Sequence, residues 1–176
     1  MLKLGQNNLQ ELGKLSVQDL MKIRGIGQAK AITIAAALEL GRRRQVTLSL
    51  DKAVITNSRE LADYLQPRLR DLRHEVFGVV YLNNAGKVLQ EEIISQGGLT
   101  STVADPRLIF KKALELEAVK LILYHNHPSG SLHPSGQDKE LTAKIREAAR
   151  FLDIRLMDHI IVSEEGYFSF ADKGLL

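Results

Sequence analysis

The chain of 176 residues contains no cysteine. That absence excludes disulfides, thiolate metal ligands and cysteine nucleophiles, and it permits a cytoplasmic location. Long hydrophobic runs are missing too: no apolar stretch reaches the roughly 18 residues that a membrane span needs. The opening residues, MLKLGQNNLQELGK, lack the apolar core of a signal peptide. There is no internal repeat and no low-complexity segment. At 44% apolar and 26% charged residues, the composition is that of an ordinary globular protein. Disorder would require fewer apolar side chains or a larger net charge.

Charge of one sign is also scarce, since the net charge is +3, but it is unevenly placed. Residues 1–50 hold eight Lys/Arg against three Asp/Glu, and the remainder holds sixteen against eighteen. A basic N-terminal third is the electrostatic footprint of a nucleic-acid contact, and equally that of a solvated charged face.

Local patterns place the elements. Leu12, Leu15, Leu20 and Ile23 have helical spacing, and Ser16 with Asp19 forms a start signal for a short helix through about Lys22. Gly25-Ile26-Gly27 makes a tight turn, and the alanine-rich run 29–40 predicts a second helix that Gly41 should stop. Residues 45–57 read as a connector with a short strand in VTLSL. Asn57 or Ser58 caps a helix over RELADYLQPRLRDL, which Pro67 should kink or shorten. HEVFGVVYL and KVLQEEIIS flank the turn signal NNAG and predict a hairpin. Asp105-Pro106 opens a further helix, VKLILYHNHP is a strand, and Ser135 begins a helix through about Leu152. IRLMDHIIVS and YFSFAD predict a second hairpin around EEG. The order after residue 57 gives an α/β or α+β domain, with one mixed sheet and helices packed on it. The expected division is a helical segment over 1–45 and a larger domain over 50–176.

The segment HNHPSGSLHPSGQD, residues 125–138, concentrates the chemistry. Alternate side chains of a strand share a face, so His125 and His127 project together and can converge on one cation. The loop that follows contains two prolines and two glycines and can return the chain so that Asp138 offers a carboxylate oxygen. Two nitrogens and one oxygen leave a fourth position for water, the pattern of a catalytic zinc, and two imidazoles favour Zn²⁺ over Mg²⁺ or Ca²⁺. Ser135 and Asp138 are equally the two ends of a capping box, a role compatible with ligation. His133, in the same loop, is not counted among the ligands. A hydrolytic site also needs a general base. Glu75 shares a strand face with Phe77, Val79 and Tyr81, where a carboxylate is costly to bury, although a strand-end glutamate can simply reach water.

The series His125-x-His127, then Ser135-x-x-Asp138, resembles the JAMM motif of the JAB/MPN metalloproteases. HNHPSG, PSGQD, LMDHIIV and the upstream HEVFGVVYLN resemble the RadC-like branch, over about residues 50–174. The resemblance implies an MPN-type mixed sheet flanked by helices. It implies a zinc-dependent hydrolase, a metallopeptidase that cleaves a peptide or isopeptide bond through zinc-activated water. In that implied scheme His125, His127 and Asp138 hold Zn²⁺, and Glu75 moves the proton from water to the leaving amine. Ser135 donates to the oxyanion or the attacking water. Asp158 and His159 fit an outer, structural role, because metal-bound histidines need a hydrogen-bond acceptor. KIRGIGQAKA resembles part of a helix-hairpin-helix, which implies non-specific DNA contact through Gly25, Gly27, Lys22, Arg24 and Lys30. The alternative function is therefore a DNA-associated, repair-related binding protein whose metal site is structural or vestigial. The partners expected are a peptide or protein substrate of unknown identity and DNA, with no membrane.

Overall fold

Ser16 and Asp19 exchange the bonds of a capping box: the Asp19 N–H donates to Ser16 Oγ at 3.1 Å and the Ser16 N–H to Asp19 Oδ2 at 3.1 Å. They open α1, Val17–Met21. The computed structural model describes residues 12–46, 54–97 and 104–176. It divides into two units, Met1–Leu48 and Ser49–Leu176. In the first, α1 turns through Gly25, at φ +87°, into α2, Gln28–Val46. Leu12, Leu20 and Ala31 are buried between them, with Ile23, Ile26 and Ile34 packed around. Gly41 does not stop α2, contrary to the sequence expectation. Glycine costs a helix roughly 1 kcal/mol relative to alanine. It terminates one only by turning left-handed, and Gly41 has no positive φ. Val46 ends α2, and the rest of the expected VTLSL strand lies outside the described residues.

The second unit contains α3 (Ser58–Leu69), β1 (Val76–Leu82), β2 (Val88–Gln96) and α4 (Pro106–Glu115). It continues with β3 (Lys120–Asn126), α5 (Gly136–Phe151), β4 (Arg155–Val162) and β5 (Tyr167–Ser169). Asn57 caps α3, which carries Pro67 inside its last turn and ends two residues later. Asp105 caps α4 with proline in its first turn. The sheet runs β2-β1-β3-β4-β5. Its pairs are antiparallel except β3 with β4, so the fold is α+β with a mixed sheet.

The sheet is covered on both faces, which explains why every residue of β1 is buried. Phe77, Val79, Tyr81, Leu121 and Leu123 meet Ile109 and Ala113 of α4 and Ile145 and Ala149 of α5. On the opposite face Val80, Leu82, Ile122, Tyr124 and Ile160 meet Leu61, Leu65 and Leu69 of α3. A parallel pair demands a crossover, and α5 supplies it between β3 and β4. This connection brings the first turn of α5 to the carboxyl end of β3, where HNH lies.

One close approach fixes the α3 face. Gly78 pairs with Tyr124 across β1 and β3, and a Cβ at Gly78 would lie 2.2 Å from the Tyr124 ring. The ring cannot move away cheaply. It is fully buried, and its hydroxyl donates to Glu91 Oε1 at 2.6 Å. Tyr64 and Arg68 of α3 also bond the Glu91 carboxylate. Burial against this carboxylate pushes the Tyr124 phenol well above its ordinary pKa, so it stays a donor. Gly78→Ala should therefore lower unfolding free energy by about 1–3 kcal/mol, the usual cost of overpacking. Urea denaturation measures it, and an unchanged midpoint would contradict this packing.

Candidate metal centre

β3 ends in the residues that carry the site, and its two faces do different work. His125 lies on the α5 face, fully buried, with its ring stacked against Phe77 at a centroid distance of 6.3 Å. His127 follows two residues later on the same side, so the expected pairing of the two imidazoles is present. Their Nε2 atoms are 2.9 Å apart. Asp138 sits at the third helical position of α5. Its Oδ1 lies 3.3 Å from His125 Nε2 and its Oδ2 lies 3.5 Å from His127 Nε2. Glu75, immediately before β1 rather than within it, completes the group. One ligand-type atom from each of the four residues lies within 4.8 Å of all the others. No other such cluster occurs among the described residues.

Hydrogen bonds on the far side of His127 determine what its near side offers. His127 Nδ1 is 2.7 Å from the Ser131 carbonyl oxygen. A carbonyl only accepts, so Nδ1 carries the proton and, in the neutral ring, Nε2 presents a lone pair. A lone pair facing a second imidazole nitrogen and a carboxylate is stable only with a positive charge among them, either a proton or a metal ion. The spacing suits a metal. A tetrahedral ion with bonds of about 2.0–2.1 Å has ligand–ligand edges of roughly 3.3–3.4 Å. The two Nε2 atoms are 2.9 Å apart and lie 3.3 and 3.5 Å from one or the other Asp138 oxygen, separations of the same order as that edge. Nitrogen and oxygen donors in this ratio fit Zn²⁺.

The electrostatics agree. Burial opposes ionisation of Asp138, but His125 and His127, which bond and attract the carboxylate when their rings are protonated, outweigh it and hold the carboxyl well below the usual range. Asp138 in turn, through its hydrogen bond, raises the His127 pKa above its ordinary value, against partial burial. The carboxylate is held in place by its own helix. Ser135 donates its N–H to Asp138 Oδ2 at 2.7 Å, and Asp138 donates its N–H to Ser135 Oγ at 3.1 Å. Capping and convergence on the cluster thus coexist in one residue. The Ser135 hydroxyl accepts in this cap and keeps its own proton to donate.

Two further residues act here: Asn126, which no motif announces, and His159, expected from LMDHIIV in an outer role. Asn126, between the histidines, faces the other side of the sheet and is buried. Its Oδ1 accepts from the Val76 N–H at 2.7 Å, and its Nδ2 donates to the His74 carbonyl at 3.1 Å. These are the peptide groups on either side of Glu75, so Asn126 fixes the backbone that presents the carboxylate. His159, on β4, touches His125 directly: His159 Nε2 is 2.8 Å from His125 Nδ1. Asp158 points away from the cluster and accepts from Ser169 Oγ and from the His159 and Ala171 amides. His133 is exposed and joins no metal-type cluster. In the other unit, Lys22 pairs with Asp19 at 2.9 Å and Lys30 Nζ reaches the Gly25 carbonyl at 3.3 Å. Arg24 is exposed beside them, and a Cβ built on Gly27 would meet nothing within 4 Å.

Because a proton and a metal compete for His127 Nε2, the direction of its shift has a measurable consequence. In metal-free protein the His127 ring should titrate above about 6.5, the ordinary histidine value, and move back toward it in Asp138→Asn. NMR of the imidazole resonances reads both. Zn²⁺ affinity, from chelator competition, should weaken as pH falls through that raised pKa. An affinity that stays flat from about pH 8 to about pH 6 would contradict protonation at this nitrogen.

The comparisons with known proteins agree with the geometry. The family model of the RadC-like JAB domain matches residues 55–175, a span that includes all four cluster residues. A UPF0758 protein of Flavobacterium johnsoniae is 48% identical over 168 residues, covering 96% of this chain and 73% of that protein. A UPF0758 protein of Porphyromonas gingivalis is 45% identical over 172 residues, covering 97% and 76%. A third, from Chlorobaculum parvum, is 40% identical over 173 residues, covering 98% and 78%. With a strand-end histidine pair, a capped aspartate and a glutamate meeting inside the matched region, the chain belongs to the RadC-like JAB domain family.

Proposed function

We propose that the unit Ser49–Leu176 is a zinc-dependent hydrolase that cleaves a peptide or isopeptide bond with water. The observation that carries this is the meeting of Glu75, His125, His127 and Asp138 within 4.8 Å, from the ends of β1, β3 and α5. His125, His127 and Asp138 would hold the ion. Bound there, Zn²⁺ supplies Lewis acidity toward a carbonyl oxygen and brings the pKa of a water to about 7. Glu75, its backbone held by Asn126, takes the proton from the attacking water. As the C–N bond breaks it passes that proton to the departing amine. The Ser135 hydroxyl donates a hydrogen bond where negative charge develops on the carbonyl oxygen. A chain without cysteine suits a cytoplasmic setting. No helix among the described residues is long and apolar enough to cross a membrane.

Elemental analysis of purified protein should find roughly one zinc per chain, lost in His127→Ala. Zinc-dependent cleavage should appear in a library of fluorophore-quenched peptides and lysine-isopeptide conjugates. Glu75→Gln should keep the metal and lose about 100- to 10,000-fold in rate, the usual contribution of a general base. Cleavage that survives Glu75→Gln refutes the assignment of the base.

A second reading concerns the unit Met1–Leu48. Arg24, Gly25 and Lys30 line an open hollow of about 570 Å³ at the start of α2. Backbone amides at such a glycine turn suit phosphate oxygens, which would make this a non-specific DNA contact. Lys22 is partly neutralised by Asp19, so Arg24 and Lys30 carry most of the expected attraction. A short duplex should bind with affinity that falls steeply between about 50 and 200 mM salt, and Arg24→Ala should flatten that slope. Salt-independent binding, or none, removes this reading.

A further inference from the structure

We propose that Thr142 and His159 are positioning residues that lock the tautomer of His125, through a hydrogen-bonded circuit that starts and ends on Asp138. The proposal rests on the reading of the cluster as a metal site, but its first consequence is visible without any metal.

The circuit is set by proton counting. Thr142 Oγ1 lies 2.5 Å from the Asp138 carbonyl oxygen and 2.6 Å from His159 Nδ1. A carbonyl has no proton to give, so the single hydroxyl proton of Thr142 goes to Asp138. The Thr142 oxygen can then only accept from His159, which puts a proton on His159 Nδ1. Neutral His159 is left with a lone pair on Nε2, 2.8 Å from His125 Nδ1. His125 must donate there, so its Nδ1 carries the proton and its Nε2 is the free lone pair. That atom is the one 3.3 Å from Asp138 Oδ1 and 2.9 Å from His127 Nε2. The residue that offers its carboxylate to the cluster thus also sets, through its own main-chain carbonyl, the protonation of a neighbouring ligand.

The surroundings hold the circuit in one arrangement. His159 is fully buried, stacked on Phe170 at 4.9 Å and met edge-on by Phe77 at 5.8 Å. Burial disfavours its charged form. Thr142 is buried as well, one helical turn after Asp138, so hydroxyl and carbonyl are neighbours along α5. The opposite tautomer of His159 would donate to His125, move the His125 proton to Nε2 and block the lone pair a metal needs. The two histidines of the motif are therefore oriented differently. His127 uses a main-chain carbonyl directly, whereas His125 uses a neutral imidazole whose proton is assigned one step further away.

The test begins with nitrogen-15 NMR of the histidine rings in the metal-free full chain at alkaline pH. His159 should be protonated on Nδ1 and bare on Nε2, and finding the reverse tautomer overturns the proposal. Thr142→Val keeps the shape and removes the hydroxyl. It should mix the His159 tautomers, weaken Zn²⁺ binding in chelator competition by about 10- to 100-fold, and alter the visible spectrum of Co²⁺ in the site. Thr142→Ser, which keeps the hydroxyl, should restore all three. Wild-type tautomers, affinity and spectrum in Thr142→Val overturn the proposal. If wild-type protein binds neither metal, the metal reading fails by itself, while the tautomer measurement still decides whether the lock exists.

Discussion

Three ligand-type atoms that repel one another meet at one point: Nε2 of His125, Nε2 of His127 and the Asp138 carboxylate. Two imidazole nitrogens 2.9 Å apart beside a carboxylate make no sense for a neutral, proton-poor cluster. The arrangement is stable only around positive charge. Folding therefore assembles an electron-rich pocket whose energy depends on a cation. In the metal-free protein the proton takes that part, which is why Asp138 is held ionised and His127 holds its proton more firmly. A metal-type assignment follows from this frustration more securely than from the motif, since an H-x-H pair alone is common and most such pairs have nothing to share.

The fold creates the meeting point by a connection rule. β3 and β4 run parallel, so the chain must cross between them, and the crossover helix starts where β3 ends. Helix capping then fixes the carboxylate, because the Asp138 side chain closes onto the Ser135 amide while its other oxygen stays directed at His125. A helix start is a favourable place for negative charge, so the same feature that stabilises α5 also stabilises the anionic member of the cluster.

Much of this was legible in the sequence, and the limits have physical causes. The His125–His127 pair shows in strand alternation, and the Ser135–Asp138 spacing shows in cap chemistry, because both signals are local. Asp105-Pro106 and Asn57 mark their helices for the same reason. Gly41 misled because glycine weakens a helix without obliging it to end. Asn126 was silent because its partners, His74 and Val76, lie about fifty positions upstream, and no local pattern reports a pairing across strands. Thr142 carries no signal of its own in the sequence. Its spacing of four from Asp138 places the two side by side, but only the arrival of His159 from β4 gives the hydroxyl a proton to accept. His159 itself is legible beside the apolar run IIV, but a local pattern does not say which partners its two nitrogens find, although a buried imidazole needs both.

The tripeptide His125-Asn126-His127 links the two halves of the proposed chemistry. Alternation sends the histidines to the α5 face and the asparagine to the α3 face. The histidines define where an ion would sit. The asparagine takes over where the β1–β3 ladder stops, after the Phe77–His125 pair, and grips the peptide groups flanking Glu75. Metal position and base position are thereby set by one rigid segment and do not depend on two loops that could drift apart. Proton transfer requires heavy atoms within about 2.6–3.2 Å, or one intervening water. In the proposed mechanism Glu75, just beyond the end of a strand, free of the ladder but with the peptide groups on both sides pinned, would keep its backbone fixed while its carboxylate turned from the water to the departing amine.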